Sequence, residues 1–294
     1  MDNTINICYA TNELYAEPMM VSMYSMLQNA DANRQYDISV MHKDLQPETM
    51  ERVKLLERMR PGITIHMMDV SAYDAQVCDR TCGYITSETN YRLFLLGDLF
   101  CKYDRMIYLD CDTIVCGDIS ELFDTDLQGQ SVGVVEAMDH RYLSVMKKAK
   151  FFEGKPYNID AYKTKILQMQ PTDIYFNAGV ILFDLTGCRR IGDDKAAVRL
   201  LNQRRYYYND QDVLNMMFHA HTHMLDLSWN YTNEIEEYHK FQEAALIQAY
   251  RDTYVSQYRV IHFVSGRKPW NAKTHLDAYY HQYAHQYRQF IRGI

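Results

Sequence analysis

Three short apolar runs at residues 5–9, 36–41 and 63–68 alternate with two segments of helical spacing, 18–28 and 47–59. Strands and helices that alternate in this way bury their apolar faces as a mainly parallel sheet covered by helices. Such a sheet collects its strand ends on one side, and ligands bind beyond the carboxyl ends. The pattern continues with a helix expected over 91–101, strands over 105–109 and 132–136, and an apolar run at 179–185. Residues 151–158, with Gly154 and Pro156, read as a loop too short to link domains. The chain therefore reads as one α/β domain over 1–270 with an appendage over 271–294.

Charge and composition narrow the function classes. Lys plus Arg number 31 against 38 Asp plus Glu, a net of −7, which offers no sequence-independent grip on a phosphate polymer and sets nucleic acid aside as the main partner. No apolar run approaches the roughly 18 residues of a membrane span. The first residues, MDNTINICYATNE, carry no basic segment or apolar core of a secretory signal. Seven thinly spread cysteines do not form a disulfide framework, so the expected setting is the reducing cytoplasm. Cys78 and Cys82 have half of a zinc spacing, but no second pair follows, and structural thiols are the plainer reading.

The sharpest local feature is Arg105-Met-Ile-Tyr-Leu-Asp110-Cys-Asp112-Thr113. In an extended chain residues two apart share a face, so Asp110 and Asp112 point one way and Cys111 the other. Neighbouring carboxylates repel, and a hard divalent cation such as Mg²⁺ or Mn²⁺ relieves the repulsion. The plain alternative is a strand-end turn with solvated aspartates. His262 lies in a short apolar run that opens into Ser265-Gly266-Arg267-Lys268-Pro269-Trp270, offering an imidazole for a metal and an ammonium for a phosphate, unless it is an ordinary core histidine. Asn177, Ala178 and Gly179 enter an apolar strand, where small residues let a ligand approach the backbone. Asn209 and Asp212 suggest a capping box, which leaves Asp210 and Gln211 as surplus polar groups suited to sugar hydroxyls.

With these segments in order, the sequence resembles glycosyltransferase family 8, retaining transferases that include bacterial lipopolysaccharide α-galactosyl- and α-glucosyltransferases and glycogenin. The resemblance is carried by Ala10-Thr11, Tyr91-Arg92-Leu93, Asp110-Cys111-Asp112, Phe176-Asn-Ala-Gly-Val180, Asp210-Gln211-Asp212 and His262 followed by Lys268-Pro-Trp270. It implies a GT-A fold, Rossmann-like with a mixed, mainly parallel sheet flanked by helices, and a UDP-sugar donor. Mn²⁺ (or Mg²⁺) would be held by Asp110, Asp112 and His262. The same match puts Ala10, Thr11, Asn12 and Tyr15 around the uridine, and Lys268 with the Ser265-Gly266 backbone on the phosphates. It puts Arg92, Asn177, Ala178, Gly179, Asp210 and Gln211 on the donor sugar, with Cys111 in the same donor-binding set. Gln211 and Asp210 are the expected catalytic residues, Gln211 by positioning and charge stabilisation because an amide is a poor nucleophile. The implied donor is UDP-galactose or UDP-glucose and the implied acceptor a saccharide or a lipid-linked glycan, as in lipopolysaccharide synthesis. One departure stands out. The family commonly has an acidic residue for uracil where this chain has Asn12 and an Asn near the ribose where it has Leu14; an amide oxygen accepts from uracil N–H, but Leu14 bonds nothing.

A rival reading treats Asp110-Cys-Asp-Thr113 as the signature of a haloacid-dehalogenase-type phosphatase, with Asp110 as nucleophile and Gly192-Asp-Asp194 as a distal acidic motif. That signature normally ends the first strand of its domain, whereas three strands precede it here. A non-enzymatic carbohydrate-binding or scaffold protein is the third reading, and the full set Asp110, Asp112, His262 and Lys268 argues against a degenerate site. In the tail, Leu276, Tyr279, Tyr280, Tyr283, Tyr287, Phe290 and Ile291 recur at helical spacing. This stripe fits docking on the domain or, alternatively, peripheral contact with the inner face of a membrane. Truncation after Trp270 is expected to spare the metal and nucleotide sites.

Overall fold

The computed structural model describes residues 3–78, 86–145, 149–152, 154–238 and 257–294, with the single positions 245, 249 and 252. Its strands are β1 (Thr4–Ala10), β2 (Gln35–His42), β3 (Ile63–Asp69), β4 (Arg105–Leu109), β5 (Thr113–Val115) and β6 (Val132–Glu136). They continue as β7 (Ala149–Phe152), β8 (Lys155–Asn158), β9 (Phe176–Asp184), β10 (Thr222–Met224), β11 (Tyr231–Thr232) and β12 (Val260–His262). Seven of these form one sheet in the order β10-β6-β9-β4-β1-β2-β3. Only β9 runs antiparallel to its neighbours, β4 and β6. The near-continuous apolar runs of β1, β2, β4 and β9 are buried, as expected of strands covered by helices on both faces.

The chain winds outward from β1 through β2 to β3 and returns to place β4 on the other side of β1. That reversal of strand order opens a crevice at the carboxyl ends of β1 and β4. Ala10 and Thr11 follow one strand into it, and Asp110 follows the other. A second sheet, β11-β12-β5, leans on this point. Its antiparallel pairing of β12 with β5 sets His262 opposite Thr113, and Phe263 N–H donates to the Asp112 carbonyl at 2.9 Å. This register explains how a histidine far along the chain reaches Asp112.

Several local expectations are corrected. The helix expected over 91–101 is two 3₁₀ helices, Ser87–Leu96 and Asp98–Phe100. The break falls at Gly97, whose backbone is extended and whose helix propensity is low; a Cβ there would lie 2.2 Å from the Asp194 carboxylate, so no larger residue fits. The second helical segment is α-helical over Pro47–Lys54 and tightens to 3₁₀ over Leu55–Met59. Residues 151–158 form most of the hairpin β7–β8 rather than a loop; 153 lies outside the described residues. The fourth apolar run starts earlier than expected, at Phe176, while Leu185 opens a helix capped by Asp184.

The tail forms the helix Asp277–Arg292, which buries Tyr280, Ala284 and Tyr287. Tyr287 and Phe290 pack on Tyr24 of the helix Ala16–Asn29, with ring centroids 6.0 and 5.8 Å apart. Tyr283 OH and the Asn29 side-chain amide lie 2.8 Å apart. Docking on the domain thus occupies the inner part of the apolar stripe. No described helix is long and apolar enough to cross a membrane. Cys78 is an exposed free thiol, and Cys82 lies outside the described residues.

Candidate active site

Asp110 and Asp112 sit in the turn between β4 and β5 rather than in an extended strand. Thr113 Oγ1 closes that turn on the Asp110 carbonyl at 2.8 Å and meets Ser22 Oγ at 2.7 Å. The outcome expected from alternation nevertheless holds. The two carboxylates converge, and Cys111 turns away, its thiol donating to the Ala10 carbonyl at 3.0 Å. One ligand atom each from Asp110, Asp112 and His262 lies within 4.8 Å of the others. His262 Nε2 is 3.2 Å from Asp112 Oδ1 and 3.7 Å from Asp110 Oδ2. Two carboxylates and an imidazole form a donor set that fits Mn²⁺ or Mg²⁺.

A chain of amides fixes which imidazole nitrogen faces the carboxylates. Gly179 N–H, which can only donate, bonds Asn177 Oδ1 at 2.8 Å. Asn230 Nδ2 must then be the donor to that same oxygen, also at 2.8 Å. The Asn230 oxygen therefore faces His262 Nδ1, 2.9 Å away, and accepts its proton. The other nitrogen, Nε2, is left with its lone pair toward Asp110 and Asp112, the tautomer a metal ligand needs. Asn230 went unnoticed in the sequence because no local pattern links it to His262.

Gly179 is required by the same group. A Cβ there would lie 2.1 Å from His262 Cε1 and 2.8 Å from Asp110 Oδ2. It leaves room for the imidazole and is not among the residues that line the cleft.

Charged groups surround the triad. Lys268, 3% exposed, donates to Asp112 Oδ2 at 2.5 Å and to the Phe263 carbonyl at 2.6 Å. Burial works against the Asp112 charge, yet the Lys268 ammonium beside it prevails and holds its carboxyl well below the usual range. Arg92 is equally buried and stacks on the Tyr108 ring. It sits 2.8 Å from Asp110 Oδ1 and 2.8 Å from Asp210 Oδ2, and donates to the Ala178 carbonyl. Burial pushes the Asp210 carboxyl up to about 6, Arg92 pulling down and Asp110 pushing further up.

Gln211 is held at both ends. Its Oε1 accepts from Ala178 N–H at 3.0 Å, and its Nε2 donates to Tyr175 OH at 3.1 Å. The expected capping box is absent: Asn209 has φ +48° and makes no side-chain cap. Asp212, fully buried, instead accepts from Tyr162 OH and Tyr175 OH at 2.7 Å and from Tyr208 N–H at 2.8 Å. It braces the ring that holds Gln211.

The triad, Lys268, Arg92, Asp210 and Gln211 open on one cleft of about 1200 Å³. Ala10, Thr11, Asn12, Tyr15, Arg92, Asp110, Cys111, Asp112, Asn177, Ala178, Asp210, Gln211, His262, Ser265 and Lys268 line it, whereas Gly179 and Gly266 do not. In the loop after β12 it is Ser265, not Gly266, that takes a left-handed conformation, with φ +74°. Ligand pockets commonly span about 300–1000 Å³, so this cleft has room for more than one small molecule. The acidic pair that a phosphatase would need lies elsewhere. Asp193 caps the helix Asp194–Gln203, Asp194 lies against Gly97, and neither lines the cleft.

A profile of glycosyl transferase family 8 matches residues 6–274. The chain belongs to this family. Among curated family relatives, general stress protein A of Bacillus subtilis is 26% identical over 95% of this chain and 93% of its own length. A lipopolysaccharide 1,2-glucosyltransferase of Escherichia coli is 24% identical over 91% of this chain and 73% of its own. Among solved structures, the bifunctional glycosyltransferase WbbM superposes with a TM-score of 0.82 at 24% identity, covering 99% of this chain and 52% of that one. Galactosyltransferase LgtC, solved with donor and acceptor sugar analogues, gives 0.74 at 22% identity, over 96% of both chains. The fold is the GT-A glycosyltransferase fold, and the family is one of glycosyltransferases, which sets aside the phosphatase reading and supports a transferase.

Proposed function

We propose that the chain transfers a hexose, galactose or glucose, from UDP-galactose or UDP-glucose to a saccharide or lipid-linked acceptor. The observation that carries this reading is the convergence of Asp110, Asp112 and His262 with the Lys268 ammonium on one side of a single cleft. A divalent ion bound there would neutralise charge growing on the departing diphosphate, the Lewis-acid role of such metals. Lys268 adds a fixed positive charge beside it, in a site where buried charges act strongly. Arg92 holds Asp110 and Asp210 apart and in place. Asp210 and Gln211 would serve the sugar end, Asp210 as a hydroxyl acceptor and Gln211 as a fixed dipole that would stabilise positive charge developing on the sugar. Ala10, Thr11, Asn12 and Tyr15 form the nucleoside end. Residues 1–270 make the catalytic unit, and the helix in 271–294 braces it. The setting we favour is the cytoplasm, in keeping with the free thiols at six described cysteines.

A panel of UDP-sugars with Mn²⁺, scored by UDP release with water as acceptor, identifies the sugar without knowledge of the acceptor. Asp112→Asn keeps the size and removes a ligand charge, and should lower turnover by more than the roughly 10–100-fold attached to outer partners of metal ligands. Full activity in excess chelator would overturn the metal role, and no release from any UDP-sugar would overturn the donor.

A further inference from the structure

The end of the cleft beyond β1 contains a polar pair that neither the metal nor the sugar contacts use. Asn12 Oδ1 accepts from Tyr15 N–H at 3.0 Å, which fixes the orientation of its amide because a backbone N–H can only donate. The nitrogen end then donates to Glu88 Oε2 at 2.9 Å. Glu88 is only 8% exposed, yet it lines the cleft beside Asn12 and Tyr15. A primary amide carries two hydrogens and an ionised carboxylate about four acceptor sites. After their mutual bond, and the 3.4 Å contact from Ser87 Oγ, an amide hydrogen and carboxylate lone pairs remain. The wall thus presents an acceptor next to a donor. One is mounted where a buried strand ends and the other on a 3₁₀ helix, so their spacing is set by the fold.

An acceptor beside a donor is the complement of a cyclic imide edge, in which a ring N–H adjoins a carbonyl. Uracil has that edge. Leu14, 76% exposed, supplies no polar atom to compete for it. We infer that Glu88 and Asn12 together read the base of the donor, Glu88 accepting from the pyrimidine N3–H and Asn12 donating its second amide hydrogen to the adjacent carbonyl. This deepens the UDP-sugar reading and rests on it. It makes Glu88, on a segment that also carries Arg92, the specificity-determining carboxylate of the nucleoside end.

The test measures affinities of the full chain, with Mn²⁺, for UDP, for 3-methyl-UDP in which the N–H is replaced, and for inorganic pyrophosphate. A hydrogen bond to a charged acceptor corresponds to roughly 10- to 100-fold in affinity. The wild-type chain should prefer UDP over 3-methyl-UDP by that factor. Glu88→Ala should weaken UDP by a similar factor and narrow the preference to within about threefold, with pyrophosphate affinity unchanged. Glu88→Gln retains an oxygen for the Asn12 amide but removes the charge, and should fall between the two. Equal wild-type affinity for UDP and 3-methyl-UDP, or full discrimination in both variants, would overturn the inference while leaving the UDP-sugar reading intact. A wild-type chain that binds pyrophosphate but no uridine nucleotide would overturn both.

Discussion

Asn230→Leu tests the tautomer chain behind the triad. Leucine shares the branching of asparagine, though it is bulkier, and neither donates nor accepts, so His262 Nδ1 loses its acceptor at 2.9 Å. Asn177 Oδ1 keeps its bond from Gly179 N–H, so only the imidazole is orphaned. Two effects follow. Burying one unpaired N–H costs about 1–3 kcal/mol of stability. The imidazole also becomes free to carry its proton on Nε2, where Asp112 Oδ1 at 3.2 Å would accept it and close that nitrogen to a metal. Outer partners of metal-binding histidines are commonly worth about 10–100-fold in metal affinity. Mn²⁺ titration by calorimetry or electron paramagnetic resonance should show a loss of that size, with urea unfolding to confirm that the variant is folded. Asn230→Asp keeps an acceptor for Nδ1–H and should bind Mn²⁺ more tightly than the leucine variant. A folded leucine variant that binds Mn²⁺ within about threefold of wild type would refute the reasoning.

Gly179→Ala places a methyl group within 2.1 Å of His262 Cε1 and should cost about 1–3 kcal/mol of stability as well as metal affinity; unchanged Mn²⁺ binding would show that the imidazole has room to move. Gln211→Ala should lower kcat more than it raises the UDP-sugar KM, since in the role proposed its oxygen would act on charge that develops only during transfer, and an equal loss of bare UDP binding would contradict that placement. Tyr287→Ala should destabilise the chain by about 3 kcal/mol in urea unfolding, because the ring is buried on Met20 and Tyr24. Truncation after Trp270 should reach further than the sequence suggested. Tyr280 packs on Trp270 at 5.3 Å and Trp270 on Tyr15 at 5.8 Å, so UDP affinity should fall along with stability, and intact UDP binding would show that Tyr15 stands alone.

Features that depend on local periodicity or on short motifs were legible in the sequence. The core strands could be read because burial on both faces demands continuous apolar runs, and Asp110, Asp112 and His262 because their residue types limit the chemistry. What escaped depends on contacts between distant segments. Asn230 matters only through His262, and Glu88 only through Asn12. The 3₁₀ form of Ser87–Leu96 ends at Gly97, where a low helix propensity is legible but the close approach of Asp194, far along the chain, is not. Asn209 was misread because the residues that cap helices also tolerate left-handed backbone, so one local signal serves two conformations. The packing of Gly179 against His262 escaped for a similar reason: a glycine announces close approach but not by what.

The pairing of β5 with β12 places ligands from two sheets at one point, and those ligands are far apart along the chain. An ion gripping Asp110, Asp112 and His262 would therefore act as a reversible cross-link, closing a loop that runs through β6, β9 and β10. Strands of three residues are a slender closure for so long a loop. Loading and folding then become a single equilibrium, because an ion that binds only the closed form stabilises it by mass action. A chain built this way would answer scarcity of such an ion with a mechanical loosening along the seam between its sheets, which would reach Arg92 through its ion pair with Asp110.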